Sequence, residues 1–337
     1  MQKLKKLACI GIDLGGTNLR AALVSRAGKI LDVRLSPAAE LGAEAVLMEL
    51  VVHCRELARC GAARGLEPVA VGLGVAGKID AEEGSVVFSP NLPRLDGYPL
   101  GRRLAEIVQI PVYMENDANV FGLGESFTGA ARGFPNWVGI VLGTGTGGCL
   151  FLNGKLWEGE GLGFSGEIGH MIVEPGGPAC PCGSKGCLEA FASARALVSG
   201  ARRRLCVAGT RTGPLGELEA AGRLSPESIY ACAKNGDAAA LELFDKMGWA
   251  LGIALANLFS ALGIRRAVIG GGVCGAWDLF IGSLERNLAR NCSMLGPEGA
   301  LVLRSRLGDE AALIGAARFG MKRSRAGESV NGTRAGE

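Results

Sequence analysis

The segment GEIGHMIVEPGGPACPCGSKGCLE, residues 166–189, sets one His and three Cys between two carboxylates in a spacing that suits a metal ion. Nine residues separate His170 from Cys180, one separates Cys180 from Cys182, and four separate Cys182 from Cys187. Pro181, Gly183 and Gly186 permit the tight turns that would gather three thiolates around one ion. The expected product is a closed Cys3His tetrahedron, the form of a structural zinc site rather than a catalytic one. Glu167 and Glu189 flank the ligands, so the metal is expected to orient carboxylates and not to perform chemistry itself. Four unrelated polar residues or a redox cluster are the competing readings. Ligand type, spacing and turn residues agree better on a metal.

A second group of reactive residues lies in Glu115-Asn116-Asp117-Ala118-Asn119, at the end of a short apolar run where a helix is expected to begin. Ligands of α/β proteins sit at the carboxyl ends of strands. Asp117 is placed to accept a proton from a substrate hydroxyl, with Asn116 bonding a neighbouring hydroxyl. Either residue would also serve as a plain helix cap. Asn91, in the loop SPNLPRLDGYPL, adds a second amide. Asn91, Asn116, Asp117, Glu167, His170 and Glu189 together offer three carboxylates, two amides and an imidazole, a set suited to a neutral polyhydroxylated ligand whose every buried hydroxyl needs a partner.

Three glycine-rich turns are candidates for holding phosphate. The first is DLGGTN, where Asp13 closes a strand and Gly15, Gly16, Thr17 and Asn18 form the turn. Backbone N–H groups in such a turn cradle phosphate oxygens, and Asp13 is a candidate to hold Mg2+ directly or through water. The second is LGTGTGG, with Gly143, Thr144, Gly145 and Thr146 in the matching place of the second half. The third, IGGGVCG, puts Gly271 and Gly272 between a strand and a helix, where a purine would pack. Each is weak alone; three in one chain favour a nucleotide. Two look-alikes fail. Gly143, Gly145 and Gly148 satisfy G-x-G-x-x-G, yet a hairpin is expected where the dinucleotide motif needs a helix. GLGVAGK at 72–78 carries Ile79 where a P-loop has Ser or Thr.

These turns need strands to carry them. Strands are expected at 7–14, across 19–35 with a turn at Ala27-Gly28, at 69–77, at the short PVYMEN run, at 137–143 and at 266–270, with a hairpin turning at Asn153-Gly154. Helices are expected at 40–61, through PLGRRLAEIVQ, after Asp117, and at 188–205, 226–234, 237–262, 276–290 and 309–322. The fold class is α/β. The two halves open alike, each with a strand, a Gly-Thr-rich turn and a further strand. The expected division is an N-terminal domain of residues 1–117 completed by a C-terminal helix at 308–323, a second domain of residues 118–307 carrying the metal segment, and a polar, Gly-rich, disordered tail at 324–337.

The chain is long enough for about two domains, each with its own core. A net charge of +3 over 337 residues, with the basic residues mostly scattered, does not favour nucleic acid or an anionic membrane as partner. The count of eleven Cys is odd and several fall within apolar runs, which fits a reducing cytoplasm better than a secreted disulfide scaffold. The apolar run at the start is cut by Asp13 and resembles neither a cleaved signal nor a membrane span.

Taken in order, DLGGTN, GLGVAGKID, SPNLP, ENDAN, LGTGTGG, GEIGHM, CPCGSKGCLE and GGG resemble the motifs of the ROK family of repressors, open reading frames and kinases, from Ile10 to about Phe319. The resemblance implies two actin-like ATPase (ribonuclease H-like) domains with an ATP cleft between them. It implies a sugar site at Asn91, Asn116, Asp117, Glu167, His170 and Glu189, with Asp117 as base. His170 would bind zinc through one ring nitrogen and sugar through the other. Cys149 departs from the pattern, standing where relatives often have a third glycine. The activity implied is phosphorylation of a hexose 6-hydroxyl with ATP, Mg2+ and a structural Zn2+, most similar to the family's glucokinases, with a homodimer or larger homo-oligomer expected. Fructose, mannose, allose, N-acetylmannosamine or N-acetylglucosamine are alternative substrates. A sugar-sensing repressor is a separate class; it would carry a DNA-reading helix pair ahead of the first turn, and none is expected in the residues before Asp13. A non-catalytic sugar-binding scaffold is the third.

Overall fold

The structure, a computed structural model, describes residues 6–38, 41–160, 165–208, 213–295 and 299–334. In chain order the elements are β1 (Lys6–Leu14), β2 (Asn18–Ser25), β3 (Ile30–Pro37), α1 (Ala43–Ala63), β4 (Leu66–Val75), β5 (Lys78–Asp80), β6 (Ser85–Phe88), α2 (Leu100–Val108), β7 (Val112–Asn116) and α3 (Asp117–Phe127). There follow β8 (Trp137–Leu142), β9 (Thr146–Leu152), β10 (Lys155–Leu156), α4 (Ala194–Ala208), α5 (Pro214–Ala220), α6 (Pro226–Lys234), α7 (Ala238–Leu262), β11 (Arg266–Gly270), α8 (Trp277–Asn291), β12 (Leu301–Arg304) and α9 (Glu310–Arg334).

Two five-stranded sheets share one plan. The first runs β3-β2-β1-β4-β7 and the second β10-β9-β8-β11-β12. In the first, β1 pairs antiparallel with β2 and parallel with β4, and β4 pairs parallel with β7. In the second, β11 lies parallel to both β8 and β12. Each half thus starts with a hairpin and adds parallel strands by crossovers, which is the actin-like, ribonuclease H-like arrangement expected. Both look-alike motifs are followed by strands, β9 after the Gly-Thr turn and β5 after GLGVAG, and neither by the helix it would need. The hairpin at Asn153-Gly154 also forms; both residues take positive φ, 53° and 76°, as a two-residue turn requires.

Contacts divide the chain into two units, one of residues 1–135, 150–166 and 306–337, the other of residues 136–149 and 167–305. In the first unit β1 is apolar on both faces because both are covered. Ile10, Ile12 and Leu14 join Leu47, Leu50, Val51, Cys54 and Leu57 of α1 in one core. Cys9 joins Leu313, Ala317 and Met321 of α9 in another. Gly11 and Gly72, paired across β1 and β4, let α9 lie directly on the strands: a Cβ on Gly11 would sit 2.0 Å from the Leu313 carbonyl and one on Gly72 1.8 Å from that of Ala316. The same closeness joins α3 to α9, where a Cβ on Gly124 would meet the Ala311 carbonyl at 2.0 Å. Contacts therefore group α3 with the first unit, whereas the sequence reading divides the chain at Asp117. Helix α9 runs on through 324–334, and residues 335–337, the end of the tail read as disordered, lie outside the described residues. In the second unit α7 buries Phe244, Met247, Leu251 and Leu255, with Gly248 and Gly252 against the backbone of α8.

Candidate active site

In the first unit the parallel strands end level with one another. The register pairs Leu14 with Val75 and Val75 with Asn116, so the turn after β1, the end of β4 and the Asn116-Asp117 pair share one edge of the sheet. The turn is closed by Gly15 N–H donating to the Asn18 carbonyl at 3.0 Å, and Thr17 and Asn18 are exposed. Gly16 has no space for a side chain, since a Cβ would lie 2.9 Å from Asn91 Cβ; the turn and the SPNLP loop touch. Ser89, fully buried, fixes that loop. Its hydroxyl donates to the Ala76 carbonyl at 2.5 Å and accepts from Leu92 N–H at 3.0 Å, while its own N–H donates to Asp96 Oδ1 at 2.8 Å. Sequence reasoning missed Ser89, although a Ser two residues before an Asn in a Pro-containing loop is a known turn former.

Asn116 turns out to be the cap of α3. Its Oδ1 accepts from the N–H groups of Ala118 at 2.9 Å and Asn119 at 3.2 Å, and its Nδ2 donates to the Gly77 carbonyl at 3.0 Å. One amide hydrogen is left to offer a ligand. Asp117 occupies the first helical position, with Oδ1 also facing Ala118 N–H at 2.9 Å, where the positive end of the helix favours a negative charge. Asp13 is partly exposed, yet its dense surroundings and then the charge of Asp117 push its pKa up to about 7, against the opposing pull of Arg20. Two carboxylates that work against each other in this way suit a divalent cation. Glu115 points elsewhere. Burial raises its pKa, and its Oε1 accepts from Asn116 N–H at 2.8 Å and Asn119 Nδ2 at 3.0 Å, a supporting role that sequence reasoning also missed.

In the second unit the four expected ligands converge. One donor atom each from His170, Cys180, Cys182 and Cys187 lies within 4.8 Å of the others. Cys182 Sγ is 3.7 Å from Cys187 Sγ, and Cys180 Sγ is 3.7 Å from His170 Nδ1. With metal–sulfur bonds of ~2.3 Å the edges of a tetrahedron would be roughly 3.8 Å, so the donors fit. The sulfur separations are far beyond the ~2.05 Å of a disulfide. Because Nδ1 faces the cluster, Nε2 points out, 3.8 Å from Glu167 Oε2. Coordination at Nδ1 would fix the tautomer that leaves Nε2–H as a donor.

Glu189 does more than the sequence reading gives it. Its Oε2 accepts the N–H of Thr146 at 2.8 Å, so the last residue of the metal segment grips the Gly-Thr turn. A Cβ on Gly145 would lie 2.3 Å from that same oxygen and would push the carboxylate out of its bond to Thr146. The turn is held further by Thr146 Oγ1 donating to the Ala192 carbonyl at 2.5 Å and by Ala194 N–H donating to the Gly143 carbonyl at 2.9 Å. Thr144 remains exposed. The Gly271 turn lies alongside, because β8 and β11 are parallel neighbours and Gly271 backs onto Leu142, where a Cβ would be 2.4 Å from the carbonyl. Gly272 is exposed with open space before it. The second and third turns therefore stand together at the carboxyl ends of adjacent strands. Cys149, the departure from the family pattern, is buried in β9 and leaves the turn intact.

Comparison with known proteins agrees with this arrangement. A glucokinase of Thermotoga maritima is 37% identical over 320 residues, covering 93% of this chain and 97% of that protein. The crystal structure of a ROK family glucokinase from Streptomyces griseus in complex with glucose and AMPPNP superposes with a TM-score of 0.79 at 33% identity, covering 94% of this chain and 99% of the other. A putative xylose repressor of a Caldicellulosiruptor species is 29% identical over 308 residues, covering 91% of this chain and 76% of the repressor. The ROK family model itself matches residues 9–322, which takes in both sheets, all three glycine turns and the Cys/His cluster; this chain belongs to the ROK family.

Proposed function

We propose that this chain transfers the γ-phosphoryl group of ATP to the 6-hydroxyl of glucose. The observation that carries the reading is Asp117, the first residue of a helix at the carboxyl edge of the first sheet, on the same edge as the Asp13 turn. The chain's likeness to the T. maritima and S. griseus glucokinases favours glucose among hexoses. Asp117 takes the proton of the 6-hydroxyl as that oxygen attacks the γ-phosphorus. The bond from the γ-phosphorus to the β,γ-bridging oxygen breaks, the electron pair leaves with ADP, and glucose 6-phosphate forms.

The remaining contacts are part of the same proposal. Asn91, the free amide hydrogen of Asn116, Glu167, the Nε2–H of His170 and Glu189 bond the sugar hydroxyls. Gly15, Gly16, Thr17, Asn18, Gly143, Thr144, Gly145 and Thr146 supply N–H and hydroxyl groups to phosphate oxygens, and Gly271 and Gly272 leave room for the base. Asp13 would hold Mg2+, which when bound neutralises charge on the transferring phosphoryl group. His170, Cys180, Cys182 and Cys187 would hold zinc, whose contribution is to fix the loop between Gly169 and Gly186. The chain would act in the cytoplasm as a homodimer or larger homo-oligomer, a state that sedimentation velocity measures. A hexose panel followed by coupled ADP release tests the substrate: glucose is expected to give the highest kcat/KM, and a preference for mannose or an N-acetylhexosamine would reassign the enzyme.

A further inference from the structure

The Cys/His cluster and the Gly-Thr turn are assigned above to different ligands, one to the sugar and one to the nucleotide. Here they are one mechanical piece. The two arms of the metal segment are bound to each other by Val173 N–H donating to the Gly186 carbonyl at 2.9 Å and Leu188 N–H donating to the Met171 carbonyl at 2.8 Å. Both arms then touch the turn. On one arm Gly169, the neighbour of His170, lies against Thr146, where a Cβ would be 2.0 Å from the carbonyl. On the other, Glu189 stands two residues after Cys187 and accepts the N–H of Thr146 through Oε2 at 2.8 Å. Among the described residues Oε1 of Glu189 has no hydrogen-bond partner, so one carboxylate has one oxygen committed to the turn and one to offer.

We infer that Glu189 is a positioning residue for the nucleotide: it transmits the order of the metal cluster to the Gly-Thr turn, so that metal loading governs ATP affinity as well as sugar affinity. The inference rests on the kinase reading above. An N–H that donates to a carboxylate is held more firmly than one that donates to water, and the direction of the Thr146 amide sets the curvature of the turn from Gly143 to Thr146. Loss of the metal frees Cys187, and with it the two-residue connection that aims Glu189. A turn left to find its own conformation must be ordered by the phosphates, which weakens binding.

The test is titration of AMPPNP with Mg2+, without sugar, by calorimetry, alongside zinc content by elemental analysis. Glu189→Ala is expected to keep its zinc and to bind AMPPNP about 10- to 100-fold more weakly, the usual loss for a hydrogen bond to a charged group. Glu189→Gln is expected to recover most of that affinity, since the amide oxygen still accepts from Thr146. Cys182→Ser is expected to lose zinc and to weaken AMPPNP to a similar degree, and the double variant Cys182→Ser/Glu189→Ala to be no worse than either alone, because both act through one contact. Should Cys182→Ser fail to fold, zinc extraction from the folded protein with a chelator gives the same comparison. Unchanged AMPPNP affinity in Glu189→Ala, or additive losses in the double variant, overturns the inference while leaving the kinase reading in place. A wild type that binds no AMPPNP overturns both.

Discussion

Asn116 Oδ1 accepts the N–H of Asn119 at 3.2 Å, which makes Asn116 the residue that caps α3 and separates its task from that of Asp117 beside it. The division has measurable consequences. Asp117→Asn is expected to lose ~10²–10⁴-fold in kcat, the contribution of a positioned base, with glucose affinity and Tm nearly unchanged. Asn116→Ala is expected to lose about 0.5–2 kcal/mol of stability with its cap, measured by denaturant titration. Near-normal turnover in Asp117→Asn would make that residue a helix-terminus charge and nothing more.

Asp13 gives a pH dependence. Its carboxyl is held up to about 7 by burial and then by Asp117, well above the ordinary 3.8 expected in the unfolded chain. Between these values the folded state binds more protons than the unfolded, so this group's contribution to stability falls as pH rises from about 4 to about 7 and stays low above that. Asp13→Asn is therefore expected to match the wild type in Tm near pH 4 and to exceed it increasingly toward pH 8, without nucleotide present. A difference that shrinks as pH rises would contradict the assignment.

Close backbone contact between β4 and α9 predicts intolerance at Gly72. A Cβ there would stand 1.8 Å from the Ala316 carbonyl, and the obstacle is backbone on both sides. Gly72→Ala is expected to destabilise by an amount at the upper end of the ~1–3 kcal/mol usual for overpacking, read as a lowered urea midpoint with unchanged m-value.

His170 serves two ligands in this account, through Nδ1 toward the cluster and Nε2 toward substrate. His170→Gln is expected to lose zinc and to raise the glucose KM more than Cys182→Ser does, because it removes a metal ligand and a sugar donor together. Elemental analysis with glucose titrations decides it; a variant that keeps zinc or matches the cysteine change in KM would limit His170 to one role.

Much of this site is visible in the residue string because its chemistry is local. The Cys/His cluster lies within 18 residues, and the glycine turns announce themselves by composition. What is hidden depends on distant pairing. The contact between Thr146 and Glu189 spans 43 residues, and nothing in either neighbourhood points to the other. The level ends of β1, β4 and β7 follow from crossover registers that period and punctuation do not encode. Local competition misleads as well. A helix is expected from 188 but α4 starts at Ala194, because Ser193 caps it by accepting Ala196 N–H at 3.0 Å and donates to the Glu189 carbonyl at 2.9 Å, leaving only a 3-10 turn before it. The short elements α5 and β12 carry too few residues to show a period.

Phosphoryl transfer from ATP to the glucose 6-hydroxyl is read without any coupling enzyme by phosphorus NMR of the purified protein with glucose, ATP and Mg2+. A glucose 6-phosphate resonance is expected to grow in equal amount with ADP and to be lost in Asp117→Asn. ADP appearing with inorganic phosphate and no sugar phosphate, or no consumption of ATP at all, would contradict it.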